Sequence, residues 1–190
     1  MRLKSEEFTA GQFYHIYNRA TGSELLFRDN SDYLKCISLM KQYYHPQHFT
    51  FLAYCLMPSH YHILLLQKTD YDFTKCFSSV WYRYSAYYNK KYGRKGTLYA
   101  GKMQHMGIQD EKYLFNLCAY IHLNPIKASL VDKAEDWEWS NLRDWLQIRN
   151  GTMLDREIIA AYFPDSYGYL TALHDLADSL TNKKMLFDSQ

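Results

Sequence analysis

Residues 49–67 read FTFLAYCLMPSHYHILLLQ, two largely apolar runs separated by one short turn. The runs, at residues 49–56 and 60–67, have the length and the aromatic and aliphatic content of β-strands. The proline in the turn at residues 57–59 fixes its own φ and suits a tight connection. Strands joined this closely pair in antiparallel fashion. The sequence therefore predicts an antiparallel β-hairpin here.

Elements on both sides of the hairpin complete the pattern of an α+β domain. They are predicted as a strand at residues 12–19, a helix capped by Asn30 or Ser31 and continuing through Lys41, a helix at residues 72–91, a strand at residues 103–108 and a helix capped by Asp110. The last helix is expected to end near Asn124, because Pro125 disfavours helical geometry in the residue before it. The order βαββαβα indicates an antiparallel sheet close to the ferredoxin-like arrangement.

The chain has the composition of a folded domain, with 190 residues, 47% of them hydrophobic and 22% charged. No repeat, low-complexity tract or proline-rich linker divides it. We expect one main domain at residues 1–150 and a helical C-terminal extension at residues 151–190, with helices at 155–163 and 166–180. The extension is acidic, because it carries three basic and six acidic residues.

Several classes of protein are excluded by the apolar and cysteine patterns. The longest apolar stretch, residues 51–57, is far shorter than the ~18 residues of a membrane-spanning helix, and residues 1–10 lack the apolar core of a signal peptide. We therefore expect a cytoplasmic protein with no membrane partner. The four cysteines are widely spaced, which predicts reduced thiols and neither a zinc knuckle nor a disulfide scaffold. They are Cys36, Cys55, Cys76 and Cys118.

Residues 73–109 contain basic and aromatic side chains but no acidic residue. The basic residues are Lys75, Arg83, Lys90, Lys91, Arg94, Lys95 and Lys102, and the aromatic ones include Trp81, Tyr82, Tyr84, Tyr87, Tyr88, Tyr92 and Tyr99. This combination suits single-stranded nucleic acid, because cations bind phosphates while flat rings stack on unpaired bases. The alternative is a helix with an aromatic core face and a solvated basic face. Both interpretations remain open at this point.

Two short patterns carry side chains suited to catalysis. His60 and His62 lie two apart on a predicted strand, so both imidazoles project from one face and could hold one cation, or could be a hydrogen-bonded pair. Tyr120 and Asn124 lie four apart on one helix face, although any of 19 tyrosines could simply be packing. If the two faces meet, a metal-polarised phosphate and a tyrosine oxygen would suit phosphodiester transesterification.

The chain resembles the HUH-type single-tyrosine transposases, and within them the REP-associated tyrosine transposases. Five motifs occur in the family's order between about residues 13 and 145: YHIYNR at 14–19, MPSHYHIL at 57–64, GRKGTL at 93–98, YIHLNP at 120–125 and WEWS at 137–140. Two positions depart from the family pattern. Ser59 replaces a common asparagine, and the segment at residues 101–103 lacks the usual arginine-aromatic pair, which could alter DNA contacts.

The resemblance implies an HUH-endonuclease fold and a role for each site residue. His60, His62 and Asn124 would bind a divalent ion, Mg²⁺ or Mn²⁺, since two imidazoles and an amide oxygen suit these ions better than zinc. Tyr120 would form a 5′-phosphotyrosine link and free a 3′-hydroxyl, without a nucleotide cofactor. His15 would be either an outer partner of this site or a core residue.

The resemblance implies cleavage and rejoining of single-stranded DNA beside a hairpin, by a monomer or a homodimer. The DNA-binding residues would be Arg83, Lys90, Lys91, Arg94, Lys95, Lys102 and Tyr99. Two alternatives remain: a domesticated hairpin-binding protein that no longer cuts, and a metal-dependent hydrolase of small phosphate esters in which water attacks.

Overall fold

A computed structural model describes residues 8–188, and it describes side chains at residues 8–110 and 113–179. The strands are β1 (Phe13–Arg19), β2 (Phe49–Met57), β3 (His60–Gln67) and β4 (Gln104–Ile108). The helices are α1 (Asn30–Gln42), α2 (Phe73–Lys91), α3 (Glu111–Lys127), α4 (Leu142–Trp145), α5 (Arg156–Tyr162) and α6 (Ser166–Asp188), with a 3₁₀ turn at Ala134–Asp136.

The four strands form one antiparallel sheet in the order β2-β3-β1-β4. The predicted βαββαβα order and the ferredoxin-like α+β class are therefore confirmed. The predicted hairpin is also confirmed, since Met57 of β2 pairs with His60 of β3 across the turn. In the pairing of β1 with β3, Arg19 lies opposite His60 and Tyr17 lies opposite His62.

The two faces of the sheet are covered by different helices, and strand alternation decides which side chains meet them. Tyr61, Ile63 and Leu65 belong to the hydrophobic cluster that also contains the buried residues of α1 and α2. Leu64 and Leu66 belong to the second cluster, which contains residues of α3, α4, α5 and α6. His60 and His62 share the strand face of Leu64, so they lie on the α3 side of the sheet.

Helix α3 differs from its prediction, because it does not end near Asn124. The helix continues through Pro125 to Lys127. Proline lacks an N–H and cannot donate to the Ile121 carbonyl, but this defect falls in the last turn, where little helix remains to be disrupted. Hydrogen bonds from Ala128 N to the Asn124 carbonyl and from Leu130 N to the Pro125 carbonyl close the helix.

The N-terminus of α1 differs from its prediction by one residue, and those of α1 and α2 are both capped by aspartate. Asp29, rather than Asn30 or Ser31, caps α1 by accepting hydrogen bonds from two backbone N–H groups. Asp72 caps α2, and Gly93 follows that helix with φ of 63°, a conformation that favours glycine. The two C-terminal helices are present, and the second extends to Asp188.

The predictions about cysteines and membrane helices are tested in part. All four cysteines are free and buried. None of the helices within residues 8–188 combines the length and hydropathy needed to cross a bilayer. The division at residue 150 stays a prediction, and residues 1–7, 189 and 190 of its two ranges lie outside the described part of the chain.

Candidate active site

A cleft of about 450 Å³ opens where β1 ends and β3 begins, beside α3. Because Arg19 pairs with His60 and side chains alternate along a strand, side chains from both strands reach the same end of the sheet on the α3 side. The residues that line it are Tyr17, Asn18, Arg19, His60, His62, Ala100, Lys102, Gln104 and Tyr120. The cleft therefore combines two imidazoles, two cations and two phenols from separate parts of the chain.

In the HYH stretch, His62 has one ring nitrogen in contact with a neighbour and His60 has both. His62 Nδ1 lies 3.1 Å from Nε2 of buried His15, and His60 Nδ1 lies 3.1 Å from the Ser59 hydroxyl oxygen. When Nδ1 donates to its neighbour, Nε2 keeps a lone pair. In that tautomer one nitrogen of each ring can bind a cation, and at His60 the cation would replace the contact of Nε2 with Asn124 Oδ1.

Burial keeps these imidazoles in the neutral form at neutral pH. It lowers the pKa of His15 to about 4. It also lowers the pKa of His62 to about 3, with the nearby His15 and His60 rings adding to the effect. The pKa of His60 is lowered by burial as well, although its contact with Asn124 opposes the shift. Neutral rings are the form that binds metal ions.

Helix α3 places Tyr120 and Asn124 against this histidine pair. The ring of Tyr120 lies 5.4 Å from that of His62, centroid to centroid, and Tyr120 is 40% exposed. Asn124 donates a hydrogen bond of 2.9 Å from Nδ2 to the Tyr120 carbonyl. Its Oδ1 atom lies 3.4 Å from Nε2 of His60. The structure thus brings together all four side chains that the sequence predicts as the catalytic set.

The donor set fits a divalent ion that accepts nitrogen and oxygen ligands. Within the part of the chain that the structure describes, no three His, Cys, Asp or Glu side chains form a metal-binding group. The amide oxygen of Asn124 is the candidate third protein ligand, because it already contacts His60 Nε2. His60 Nε2 and Asn124 Oδ1 lie 3.4 Å apart, so both atoms could contact one ion. The engaged Nδ1 atoms would fix both rings.

The two tyrosines that compete with Tyr120 for its role, Tyr61 and Tyr113, and the neighbouring His122 are not among the residues that line the cleft. Tyr61 is buried on the other face of the sheet, where its ring stacks on Trp81 with centroids 3.9 Å apart. Tyr113 is exposed two turns before Tyr120 on the same helix. His122 is buried, and its two ring nitrogens lie 2.9 Å from the Tyr169 hydroxyl and 3.1 Å from Asn141 Oδ1. These contacts agree with a structural role for His122.

The structure divides the predicted DNA-binding residues into separate groups. Lys102 lines the cleft. Arg83 and Lys90 line a groove between α1 and α2, on the opposite side of the sheet, and Lys95 is exposed in the loop after α2. The other three make contacts within the protein: Lys91 with Asp29 and Asp32, Arg94 with Glu24, and the Tyr99 hydroxyl with the Trp81 carbonyl.

Lys127 is a residue of this site that the sequence analysis missed. Its Nζ atom lies 4.4 Å from the centre of the Tyr120 ring. The omission follows from ending α3 near Asn124, since a chain that leaves the helix there has no defined path for residue 127. The spacing 120, 124 and 127, typical of one helix face, was the available signal. Arg19 and Gln104 of the cleft were also not predicted.

Comparisons with known proteins agree with the motifs. Residues 10–124 match the family described as IS200-like transposase. A protein of Haemophilus influenzae assigned to the REP-associated tyrosine transposases is 25% identical over 135 residues, which are 64% of this chain and 69% of that protein. A solved REP-associated tyrosine transposase bound to a REP hairpin has a similar fold, with a TM-score of 0.63 and 18% identity over 82% of this chain and 94% of that one. The chain belongs to the IS200-like transposase family.

Proposed function

We propose that this chain cleaves and rejoins single-stranded DNA beside a hairpin, with Tyr120 as the nucleophile. The observation that carries the proposal is the meeting of the Tyr120 ring with His62 in one open cleft, at 5.4 Å between ring centres. A hydroxyl nucleophile and a cation site must act on the same phosphorus atom, so their proximity is the first requirement of the reaction.

His60, His62 and Asn124 would hold the divalent ion, either Mg²⁺ or Mn²⁺. When bound there, the ion supplies polarisation of a phosphate oxygen and neutralises the charge that develops on it. The two histidines would bind through Nε2 while Ser59 and His15 hold their Nδ1 atoms. Asn124 would bind through Oδ1, which its hydrogen bond to the Tyr120 carbonyl already turns toward His60.

The proposed reaction exchanges one phosphodiester for another. The phenolic oxygen of Tyr120 attacks the scissile phosphorus and forms a 5′-phosphotyrosine bond, while the bond between phosphorus and the 3′-oxygen breaks. The phenol proton is released, and the departing oxygen takes up a proton to become a 3′-hydroxyl. Rejoining is the reverse attack by a 3′-hydroxyl, so it needs no nucleotide cofactor.

The DNA would follow the exposed cations rather than the whole basic stretch. Lys102 and Arg19 line the cleft, where they would contact phosphates on either side of the scissile bond. Arg83, Lys90 and Lys95 would contact the hairpin or its flank from the α2 side. A hairpin partner is supported by the bound REP hairpin of the structural relative. Lys91, Arg94 and Tyr99 would support this surface through their internal contacts.

The nucleophile is tested by trapping the covalent intermediate. The chain is incubated with Mg²⁺ or Mn²⁺ and a hairpin oligonucleotide that carries single-stranded flanks, and the products are separated under denaturing conditions. We expect a protein–DNA adduct in the unaltered chain and none with Tyr120→Phe, because phenylalanine lacks the attacking oxygen. The matched control is Tyr113→Phe, an exposed tyrosine on the same helix, which should form as much adduct as the unaltered chain.

Other outcomes assign the chain to a different function. An adduct that persists in Tyr120→Phe would mean that another residue is the nucleophile. Hairpin binding without any adduct, and with Tyr120→Phe fully active in the cell, would indicate a domesticated binding protein. Turnover of small phosphate esters without an adduct would indicate a hydrolase in which water attacks.

A further inference from the structure

The Tyr120 ring contacts two side chains from different elements. On one side lies the His62 ring, at 5.4 Å between centres and an interplanar angle of 75°. The ammonium group of Lys127 also contacts the ring, and its Nζ atom lies 4.4 Å from the centre of the Tyr120 ring. Tyr120 is otherwise 40% exposed, so these two contacts are what restrict its rotation among the contacts that the structure describes.

Lys127 reaches the ring because α3 continues through Pro125. A spacing of seven residues corresponds to two helical turns, which places Lys127 on the same helix face as Tyr120. Lys127 is exposed as a whole residue, but partial burial of its ammonium group lowers its pKa. A cation over the face of an aromatic ring is attracted by the ring quadrupole, and the attraction strengthens when water is excluded.

We propose that Lys127 is a positioning residue that holds the Tyr120 ring in its orientation toward the histidine pair. The inference rests on the proposed function, in which Tyr120 is the nucleophile. A half-exposed tyrosine that rotates freely spends only part of its time aimed at the phosphorus, whereas a clamped ring is already close to the attack geometry. The expected effect of losing the clamp is therefore on the rate of cleavage and not on the affinity for DNA.

The kinetic test compares Lys127→Met, Lys127→Arg and the control Lys133→Met. Methionine keeps much of the apolar stem and removes the charge, arginine restores a cation, and Lys133 is an exposed lysine shortly after the helix. At saturating hairpin DNA, we expect Lys127→Met to slow single-turnover adduct formation about 5- to 30-fold, the range of a partly desolvated cation–π contact. Lys127→Arg should lie within about threefold of the unaltered rate, and Lys133→Met should not differ from it.

Fluorescence anisotropy of the same hairpin separates positioning from DNA contact. The dissociation constant of Lys127→Met should stay within about twofold of the unaltered value. Binding that weakens as much as the cleavage rate falls would overturn the proposal, because Lys127 would then be a phosphate ligand. An unaltered cleavage rate in Lys127→Met, or a rate that Lys127→Arg does not restore, would also overturn it.

A measurement without DNA keeps this inference distinct from the proposed function. The chain is labelled with 3-fluorotyrosine, and the ¹⁹F resonance of residue 120 is identified by its absence in Tyr120→Phe. We expect Lys127→Met to shift and narrow this resonance and Lys133→Met to leave it unchanged. An unchanged resonance in Lys127→Met refutes the clamp. A shifted resonance in a chain that forms no adduct would support the clamp and refute Tyr120 as the nucleophile.

Discussion

At the scale of single residues, the side chain of His15 lies directly behind His62. His15 is buried, and its Nε2 atom is 3.1 Å from Nδ1 of His62. His15 therefore fixes which ring nitrogen of His62 keeps its lone pair, and it also orients the His62 ring. We expect His15→Phe to weaken Mn²⁺ binding about 10- to 100-fold, measured by electron paramagnetic resonance of the free ion without DNA.

The control for this variant is His174→Gln. His174 lies on α6, contacts Glu135 at 3.1 Å, and is not among the residues that line the cleft. Its substitution should leave the affinity for Mn²⁺ unchanged. Equal Mn²⁺ affinity in His15→Phe and the unaltered chain would make His15 a core histidine with no part in the site.

The sequence could predict the two local halves of the candidate site but not all of their contacts. A two-residue spacing on a strand aligns His60 with His62, and a four-residue spacing on a helix aligns Tyr120 with Asn124. Whether the helix face covers the strand depends on packing between elements far apart in the chain. The contact of Asn124 with His60 joins residues 64 positions apart, and no local pattern encodes it.

At the scale of elements, helix α2 carries cations of two kinds. Arg83 and Lys90 line an exposed groove, whereas Lys91 lies 2.7 Å from the buried carboxylate of Asp32. Each lost phosphate contact removes about one unit from the slope of log affinity against log salt concentration. We expect the double variant Arg83→Ala, Lys90→Ala to lower the slope by about two, as measured by fluorescence anisotropy, with no change in the midpoint of thermal unfolding.

Lys91→Ala is the matched variant on the same helix, and the opposite behaviour is expected. Its hydrogen bonds to Asp29 and Asp32 raise the pKa of Lys91 despite the opposing effect of desolvation. Without Lys91, the buried carboxylate of Asp32 loses its cationic partner, which is unfavourable. The midpoint of thermal unfolding should fall, and the salt slope should stay the same. A Lys91→Ala chain with a normal midpoint and a reduced slope would contradict this assignment.

The helices and strands could be predicted from the sequence more easily than the ion pairs that their charged side chains form. Hydrophobic periodicity and turn residues are local, and they predicted the strands, the hairpin and the order of the helices. The ion pair between Lys91 and Asp29 joins the end of α2 to the cap of α1, so a charge count along residues 73–109 could not detect it. The predicted end of α3 was wrong for a related reason. Pro125 disfavours a helix locally, but the surrounding fold keeps the chain helical to Lys127.

At the scale of the whole molecule, the C-terminal helices and helix α3, which carries Tyr120, share one hydrophobic cluster. Leu117 and Ile121 of α3 belong to it, as do Phe163 and Leu173 from beyond residue 150. Tyr169 of α6 also hydrogen-bonds with His122, which lies between Tyr120 and Asn124 on α3. These contacts indicate that α6 supports the helix that carries the proposed nucleophile, so we propose that the extension stabilises the main domain.

The coupling of α6 to the rest of the fold is tested with two leucines three residues apart. Leu173 is fully buried in the shared cluster, whereas Leu176 is 40% exposed. Leu173→Ala should lower the free energy of unfolding by about 2–5 kcal/mol, because it removes buried apolar surface and leaves a cavity. Leu176→Ala should change it by no more than about 0.5 kcal/mol. Urea unfolding followed by circular dichroism and by tryptophan fluorescence measures both values.

Coincident transitions of the two signals at lower urea concentration in Leu173→Ala would show that the chain unfolds as one cooperative unit. A separate early loss of helix, with the main transition unchanged, would show that the extension unfolds alone.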